Sequence, residues 1–163
     1  MIIFVTGGSD GSDDDSTGPA GGSATGQAPP AQGVSAPIVS VVDGDTARAL
    51  VDGQEESVRY IGIDTPEVDP SIGVECFGDE ASGRNKELVE DETVRLVFDA
   101  ERRDRYDRLL AYVYAGDTFV NAELVRGGFA TTLEIAPNDS RAGLFDRLEQ
   151  EASNAGRGLW GQC

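Results

Sequence analysis

Residues 38–51 read IVSVVDGDTARALV, and this stretch decides how the folded part of the chain begins. Two apolar runs, 38–42 and 47–51, flank the polar sequence DGDT at 43–46. An Asp-Gly pair between apolar runs indicates a tight turn, because both residues tolerate the positive φ angles of a short hairpin loop. We therefore predict two antiparallel strands joined by a turn that carries Asp45.

Downstream of this hairpin, strand and helix patterns follow one another to the C-terminus. Alternating and clustered apolar residues predict three further strands, over 57–63, 93–99 and 109–115. Apolar residues that recur on one helical face predict three helices, over 78–89, 119–126 and about 141–155. Three strands, a helix, two strands and two helices describe an α+β fold, a five-stranded barrel with helices packed on it.

The first 35 residues have a different composition. Residues 6–35 consist mainly of Gly, Pro, Ser, Thr and Asp, and Val34 is the only large aliphatic side chain among them. Such a segment cannot bury enough apolar area to offset its chain entropy, so we predict a disordered tether over 1–35 and a folded domain over 36–163. The apolar start at 1–5 is shorter than a secretory signal core, but it fits a remnant of an export or anchor segment. An extracellular or cell-surface location is therefore expected, and no apolar run is long enough to span a membrane.

The composition excludes several kinds of catalytic site. The 163 residues include no histidine, which rules out Ser-His-Asp and Cys-His catalysis and any zinc site with histidine ligands. The two cysteines cannot form a four-cysteine zinc site either. A bound metal would therefore have oxygen ligands, which is the chemistry of Ca²⁺ and Mg²⁺.

The charge balance is strongly acidic. Thirty acidic residues against 13 basic ones give a net charge of −17, and Lys86 is the only lysine. Such a charge would ordinarily argue against a nucleic-acid partner, because phosphate binding requires cations. At about 1 M salt, however, the Debye length is only about 3 Å, and distant surface charges no longer interact. We interpret the acidic excess as adaptation to concentrated salt, as in a halophilic protein; an acidic protein of ordinary salinity is the alternative.

Acidic and basic side chains mark the ends of the predicted strands. Asp45 lies in the first turn, Arg59 lies in the third strand, and the sequence DTPE (64–67) follows that strand. Arg108 comes directly before the fifth strand, after the sequence DRYD (104–107). Each feature alone is explained by a turn, a helix-capping loop or a surface cation. A small barrel, however, would bring these strand ends together at one rim.

With its longer motifs included, the chain resembles the staphylococcal nuclease (thermonuclease-like) family. The resemblance covers about residues 38–163, in matching order and spacing, and rests on these segments: VDGDT (42–46), RYIGIDTPE (59–67), CFGDEA (76–81), DRYDRLLAYV (104–113), VNAELVRGGFA (120–130) and GLW (158–160). It implies an OB-fold barrel, in agreement with the strand count above. It also implies Ca²⁺-dependent hydrolysis of phosphodiester bonds in DNA and RNA, with 3′-phosphate products.

Position by position, the resemblance assigns metal ligands and a base. Asp45 and Asp64 become carboxylate ligands of one Ca²⁺, and the backbone carbonyl of Thr65 becomes a third ligand. Glu67 matches the general-base position, where a carboxylate contacts the attacking water. Hard oxygen donors in a partly hydrated site suit Ca²⁺.

The resemblance also assigns the residues that would bind the substrate. Arg59 and Arg108 match the two arginines that hold the scissile phosphate, a task suited to a planar and permanently charged guanidinium. Arg105 and Tyr106 match positions that contact the nucleotide's other phosphate, although Arg105 replaces the expected lysine.

One part of the resemblance is incomplete. The segment 131–137 is one residue shorter than the family pattern and lacks the tyrosines that line its base pocket. Stacking on the base would then be supplied by Tyr106, Tyr112 or Tyr114, or would be weaker. For Tyr112 and Tyr114 we favour a structural role over a ligand role, with one side chain facing the core and the other facing solvent. The preference between DNA and RNA stays open for the same reason.

The two cysteines lie far apart in the sequence. Cys76 opens the first helix and Cys163 is the final residue. In an exported protein such a pair favours a disulfide, which here would pin the C-terminal tail. Two free thiols in a reducing cytosol are the alternative.

Two other function classes compete with the enzyme. A non-catalytic OB-fold module would bind single strands or a protein partner, but a decayed domain would have lost carboxylates or arginines of the site, and none is missing. A cell-surface structural module would explain the tether but not the rim residues. We therefore expect a monomeric enzyme that acts on DNA or RNA.

Overall fold

In the computed structural model, which describes residues 32–163, five long strands form a closed barrel with helices packed against it. The strands are β1 (Val34–Val41), β2 (Thr46–Val51), β3 (Gln54–Tyr60), β4 (Ile63–Asp64), β5 (Val68–Asp69), β6 (Gly73–Val74), β7 (Thr93–Val97), β8 (Leu109–Ala115), β9 (Thr118–Phe119) and β10 (Thr131–Thr132). The helices are α1 (Gly78–Val89), α2 (Val120–Arg126), α3 (Ala142–Asn154) and α4 (Leu159–Gln162). The expected α+β fold, a five-stranded barrel with three helices, is confirmed; the single-turn α4 is an addition to it.

The barrel is closed by a parallel pairing between strands that are far apart in the chain. β1 pairs antiparallel with β2 and β7, β2 pairs with β3, and β7 pairs with β8. β3 then pairs parallel with β8, with Val58 opposite Leu109 and Arg59 opposite Leu110. Each of the five strands therefore has a neighbour on both sides. The closure places the C-terminal end of β3 beside the N-terminal end of β8.

The barrel interior and the helices share one apolar core. β2 has one buried face, which includes Ala47 and Ala49. Phe145 of α3 is buried and packs against Phe119 and Tyr112, with ring-centroid distances of 5.7 and 6.3 Å. Burial of one such aromatic side chain contributes about 1.5–3 kcal/mol. This cluster therefore anchors α3 to β8 and β9.

The third strand expected from the sequence, 57–63, is divided in the structure. β3 ends at Tyr60, and a turn at Ile61 and Gly62 separates it from β4, which pairs with β10. Gly62 has a φ of 80°, which glycine adopts without strain, and a Cβ there would lie 2.5 Å from the ring of Phe145. The apolar pattern continues through this turn, so the pattern alone does not reveal it.

The N-terminal boundary also differs from the expectation. β1 begins at Val34, so two residues of the predicted 1–35 tether belong to the first strand, where Val34 lies opposite Leu96 of β7. Residues 1–31 of that tether lie outside the described residues. Across residues 32–163, no helix is long and apolar enough to cross a membrane.

A disulfide fixes the C-terminal tail. Cys76, two residues before α1, is bonded to Cys163, 87 positions later in the sequence. Leu159, at the start of α4, donates a backbone hydrogen bond to the Gly128 carbonyl at 2.9 Å, which ties α4 to the turn after α2. The tail is thus attached at both ends of its last helix.

Candidate active site

Barrel closure brings two of the predicted arginines to the same end of the barrel. Arg59 lies near the C-terminal end of β3, and Arg108 directly precedes Leu109, the first residue of β8. Because the last three residues of β3 lie opposite the first three residues of β8, these two ends are adjacent. Both arginines line a cavity of about 510 Å³ at this rim.

Hydrogen bonds of the Asp45 side chain connect the first hairpin turn to Thr65, directly after β4. The Asp45 side chain is buried, and its Oδ2 accepts hydrogen bonds from the backbone N–H and the hydroxyl of Thr65, at 2.8 and 3.0 Å. Its Oδ1 accepts a bond from the Thr46 hydroxyl at 3.0 Å. The two segments approach so closely that a Cβ at Gly44 would lie 2.6 Å from the Thr65 hydroxyl oxygen. The Asp-Gly pair that signals the turn therefore also permits this contact.

Arg59 lies between two of the predicted metal ligands. Its guanidinium forms ion pairs with Asp45, through Nη1, and with Asp64, where Nη2 donates to Oδ1 at 2.8 Å. Only 14% of the Arg59 side chain is exposed. Burial alone would lower the pKa of Arg59, but the two carboxylates outweigh it and the pKa is raised. Arg59 is therefore a buried cation that neutralises the carboxylates in this structure.

More carboxylates surround Arg59 than one cation can neutralise. Burial and the nearby Asp45 raise the pKa of Asp43 to about 6. Glu67 is exposed, but partial desolvation, followed by the charges of Asp45 and Asp64, also raises its pKa. These rises mean that the ionised forms of Asp43 and Glu67 are disfavoured here and that additional positive charge would stabilise them. Sequence reasoning missed Asp43, although its place beside Asp45 in the turn was a usable signal.

The donors at this point fit a hard divalent cation. Within residues 32–163, no three acidic or cysteine side chains converge closely enough to hold a metal by themselves. The set expected from the sequence needs only two carboxylates, because it consists of Asp45, Asp64 and the backbone carbonyl of Thr65. All three donors are oxygens, and Ca²⁺ commonly completes such a set with water. The crowded carboxylates and the oxygen donors therefore both suit Ca²⁺.

Asp104 holds Arg108 in position. Its Oδ2 accepts a hydrogen bond from Arg108 Nε at 2.7 Å, and its Oδ1 accepts bonds from the backbone N–H groups of Arg108 and Tyr106 at 3.0 and 2.9 Å. The same loop is tied to β3 by Arg103, whose guanidinium donates to both carboxylate oxygens of Glu56 at 3.0 and 2.8 Å. Sequence reasoning missed Asp104 and Glu56 as supporting residues.

Apolar side chains form one wall of the cavity beside the arginines. Tyr106, Leu133 and Ile135 line it, and they are exposed by 64%, 38% and 62%. Tyr112 and Tyr114, the other two candidates for base stacking, are buried with their rings in the aromatic cluster of the core. Their burial leaves neither ring available for a base, and the expectation that one of the two faces solvent is wrong, because residues two apart in a strand share a face and this face of β8 points into the core.

The predicted site residues form two groups, and Arg59 connects them. The first group contains the expected metal ligands and Glu67. In the second, Arg105 Nη2 donates to the Tyr106 hydroxyl at 2.7 Å, and the guanidiniums of Arg105 and Arg108 lie 4.8 and 5.3 Å from the Tyr106 ring centroid. Arg59 is paired with carboxylates of the first group and lines the same cavity as the second.

Comparison with known proteins points to one family. The family model described as "Staphylococcal nuclease homologue" matches residues 57–162. The chain is 40% identical over 124 residues to a thermonuclease of Staphylococcus intermedius, a match that covers 76% of this chain and 74% of that protein. It is 40% identical over 122 residues to endonuclease YncB of Bacillus subtilis (strain 168), and 42% identical over 122 residues to the SPbeta prophage-derived endonuclease YokF of the same strain. These two matches cover 73% of this chain but only 58% and 41% of the respective relatives.

Proposed function

The chain belongs to the staphylococcal nuclease family, and from this membership we propose that it is a Ca²⁺-dependent nuclease that hydrolyses phosphodiester bonds of DNA or RNA to products with 3′-phosphate ends. The observation that carries the proposal is the meeting of Arg59 and Arg108 at one cavity, with Arg59 paired to carboxylates of the kind that Ca²⁺ binds. A binding module without catalytic activity would not need to retain all of these arginines and carboxylates.

Asp45, Asp64 and the carbonyl of Thr65 would hold the Ca²⁺ ion. When bound, the ion supplies positive charge that neutralises the carboxylates and a phosphate beside them. Arg59, which neutralises the same carboxylates in this structure, is then free to donate its N–H groups to a phosphate oxygen. Its burial strengthens that interaction, because little water competes for the guanidinium there.

Arg108 is oriented for the same phosphate. Its Nε is occupied by Asp104, which fixes the plane of the guanidinium and leaves Nη1 and Nη2 to donate to two phosphate oxygens. Extra negative charge develops on these oxygens as water adds to phosphorus, so the two arginines stabilise the transition state more than the substrate. Arg105 and Tyr106 contact the nucleotide's other phosphate from the exposed side of the same loop.

Glu67 acts on the attacking water. The raised pKa of its carboxyl makes the carboxylate a better proton acceptor than an ordinary glutamate. The water oxygen attacks phosphorus while Glu67 accepts the water's proton. The bond from phosphorus to the 5′-oxygen breaks, and the 5′-oxygen takes up a proton from solvent and leaves as a hydroxyl, while the phosphate stays on the 3′-side. Glu67 then releases the proton that it accepted to solvent.

Release of acid-soluble nucleotides from DNA tests the proposal. We expect release in the presence of Ca²⁺, loss of release after chelation, and recovery when Ca²⁺ is restored. A gel-shift assay in chelator, run alongside, shows whether the protein still binds DNA. Release that is insensitive to the chelator, or binding without release in Ca²⁺, would contradict the proposal; the second result would favour the non-catalytic binding module.

We also propose that the protein works in concentrated salt. From residue 36 onward, 26 acidic residues oppose 13 basic ones, which gives a net charge of −13. In dilute buffer this charge repels an anionic nucleic acid over distances comparable to the Debye length, about 10 Å at 0.1 M salt. Added salt screens that repulsion first, while the contacts of Arg59 and Arg108 with a phosphate act at short range and are screened less.

The rate should therefore first rise with NaCl. We expect kcat/KM on duplex DNA to increase about tenfold from low salt to its maximum, the lower end of the range for electrostatic effects on association. A dinucleotide substrate is the control, because its few charges should make the rise much smaller. Circular dichroism must show a folded protein at each salt concentration. A steady fall of kcat/KM in the folded protein, as counterion release produces in basic nucleases, would show that the acidic surface does not govern encounter.

The disulfide is relevant to the compartment in which the protein acts. Bonds between cysteines persist in oxidising compartments and are rare in the cytosol. The Cys76–Cys163 bond therefore supports our proposal that the protein acts outside the cell or at its surface.

A further inference from the structure

Glu67 stands at one end of a small hairpin that Glu75 closes. The Glu75 N–H donates to the Glu67 carbonyl, and the Glu67 N–H donates to Glu75 Oε2, both at 2.9 Å. Between them β5 and β6 pair antiparallel, with Val68 opposite Val74. The carboxylate of Glu75 therefore holds the backbone of the residue that we propose as the general base.

Much of the apolar surface of this hairpin is exposed. Ile72 and Val74 are exposed by 80% and 53%, so the hairpin buries little apolar surface and is expected to open easily. Its attachment to the helical part of the protein is at Gly78, the first residue of α1. The Gly78 N–H donates to the Glu75 carbonyl at 2.9 Å, and a Cβ at Gly78 would lie 2.9 Å from the Glu67 carbonyl oxygen.

The disulfide joins the end of this hairpin to the C-terminal tail. Cys76 directly follows Glu75, and its partner Cys163 directly follows α4. Both cysteines and Leu159 of α4 line a cleft of about 340 Å³ together with two of the expected metal ligands. The tail and its disulfide therefore form a wall beside those ligands and restrain the hairpin at the same time.

We propose that Glu75 and the Cys76–Cys163 disulfide position Glu67, so that hydrolysis is fast only while the two cysteines are bonded. This inference rests on the proposed function. Both cysteines are exposed, so a dithiol can reach the bond. The dithiol transfers two electrons and two protons, the S–S bond breaks, and the products are two protein thiols and the cyclic disulfide of the reductant. The hairpin then loses its covalent link to the tail.

The first test compares the oxidised protein with two forms that lack the bond: wild type reduced with dithiothreitol, and the double variant Cys76→Ser, Cys163→Ser. We expect kcat on DNA to fall about tenfold to 100-fold in both, because a displaced general base loses much of its contribution. KM should change less than about twofold, since residues outside the hairpin hold the phosphate. The double variant must not respond to dithiothreitol, which excludes an effect of the reductant on the assay. Circular dichroism at the assay temperature verifies that each form is folded.

The second test keeps the disulfide and so does not depend on the stability of the reduced protein. Glu75→Ala removes the acceptor of the Glu67 N–H and should lower kcat by a similar factor, whereas Glu75→Gln keeps a side-chain oxygen and should restore most of it. Glu80→Ala, an exposed acid of α1, removes the same charge and should leave kcat unchanged. Hydrogen exchange of the Glu67 amide should accelerate about tenfold or more in Glu75→Ala and in the reduced protein, but not in Glu75→Gln.

The possible results separate this inference from the proposed function. An oxidised wild type that releases no nucleotides in Ca²⁺ overturns the proposed function, whatever the variants do. An active oxidised enzyme whose kcat stays within about twofold after reduction and in Glu75→Ala overturns the positioning role. A loss of kcat with unchanged exchange of the Glu67 amide also overturns it, because the effect would then arise elsewhere.

Discussion

Arg108→Ala should lower kcat for DNA hydrolysis by about 10³-fold while the protein stays folded. The large effect on rate follows from the loss of two N–H donors that face the phosphate when its negative charge increases. The small effect on stability follows from the surroundings of Arg108, whose side chain is 33% exposed. Its backbone N–H can still donate to Asp104 in the variant, so the loop keeps that hydrogen bond. The free energy of unfolding should change by about 0–1 kcal/mol.

Arg84→Ala provides a matched control for this variant. Arg84 is 35% exposed and paired with Glu87 in α1, so its removal changes the net charge and a partly exposed ion pair in the same way. Rates measured on DNA in Ca²⁺ and unfolding curves in urea compare the two variants directly. If kcat of Arg108→Ala stays within about tenfold of the wild type, Arg108 does not hold the reacting phosphate.

Arg59→Ala should reduce both turnover and stability. In chelator, the substitution leaves Asp45 buried without the cation that neutralises it, beside Asp43, whose carboxyl already has a raised pKa. Removal of one partner from a buried ion pair costs about 3–5 kcal/mol of unfolding free energy. Turnover should fall by about 10²–10³-fold, because a phosphate donor is lost. Sequence reasoning treated the two arginines alike, and the burial of Arg59 is what distinguishes them.

Arg48→Ala is the control for stability. Arg48 lies in β2 and pairs with Glu55 of β3 at 3.0 Å, but 53% of its side chain is exposed, so its loss should cost less than about 1 kcal/mol. Addition of Ca²⁺ should restore part of the stability of Arg59→Ala, since a ligand that binds only the folded protein stabilises it. Equal unfolding free energies for Arg59→Ala and Arg48→Ala in chelator would contradict the assignment of Arg59 as the buried counterion.

Secondary-structure elements that depend mainly on the residues within them were predictable from the sequence. The expected bounds of the first helix, 78–89, coincide with those of α1, because helical spacing of apolar residues is a property of the segment itself. The division of the expected strand 57–63 was not predicted, because the apolar pattern continues through the turn and the ring that packs beside Gly62 belongs to Phe145 of a distant helix. The short β10, which pairs with β4, was not predictable for a different reason: two residues carry too little pattern.

In the site, too, local motifs were informative and long-range contacts were not. The motifs around Asp45, Asp64 and Arg108 indicated that these residues are functional candidates, but they did not reveal which neighbouring side chains hold them in position. Glu75 and Asp104 are two of 30 acidic residues, and no spacing rule distinguishes them from the rest. Their roles depend on hydrogen bonds to particular backbone N–H groups, and such contacts exist only after the chain has folded.

The parallel pairing of β3 with β8 makes the proposed site depend on the last of the five long barrel strands. A chain that has emerged from the ribosome only as far as β7 contains Arg59 and the carboxylates, but it lacks both Arg108 and the strand that completes the barrel. Contacts between segments so distant in sequence require closure of the long loop between them, and this closure costs chain entropy. The phosphate clamp that we propose for Arg59 and Arg108 can therefore assemble only after β8 has been synthesised and has paired with β3.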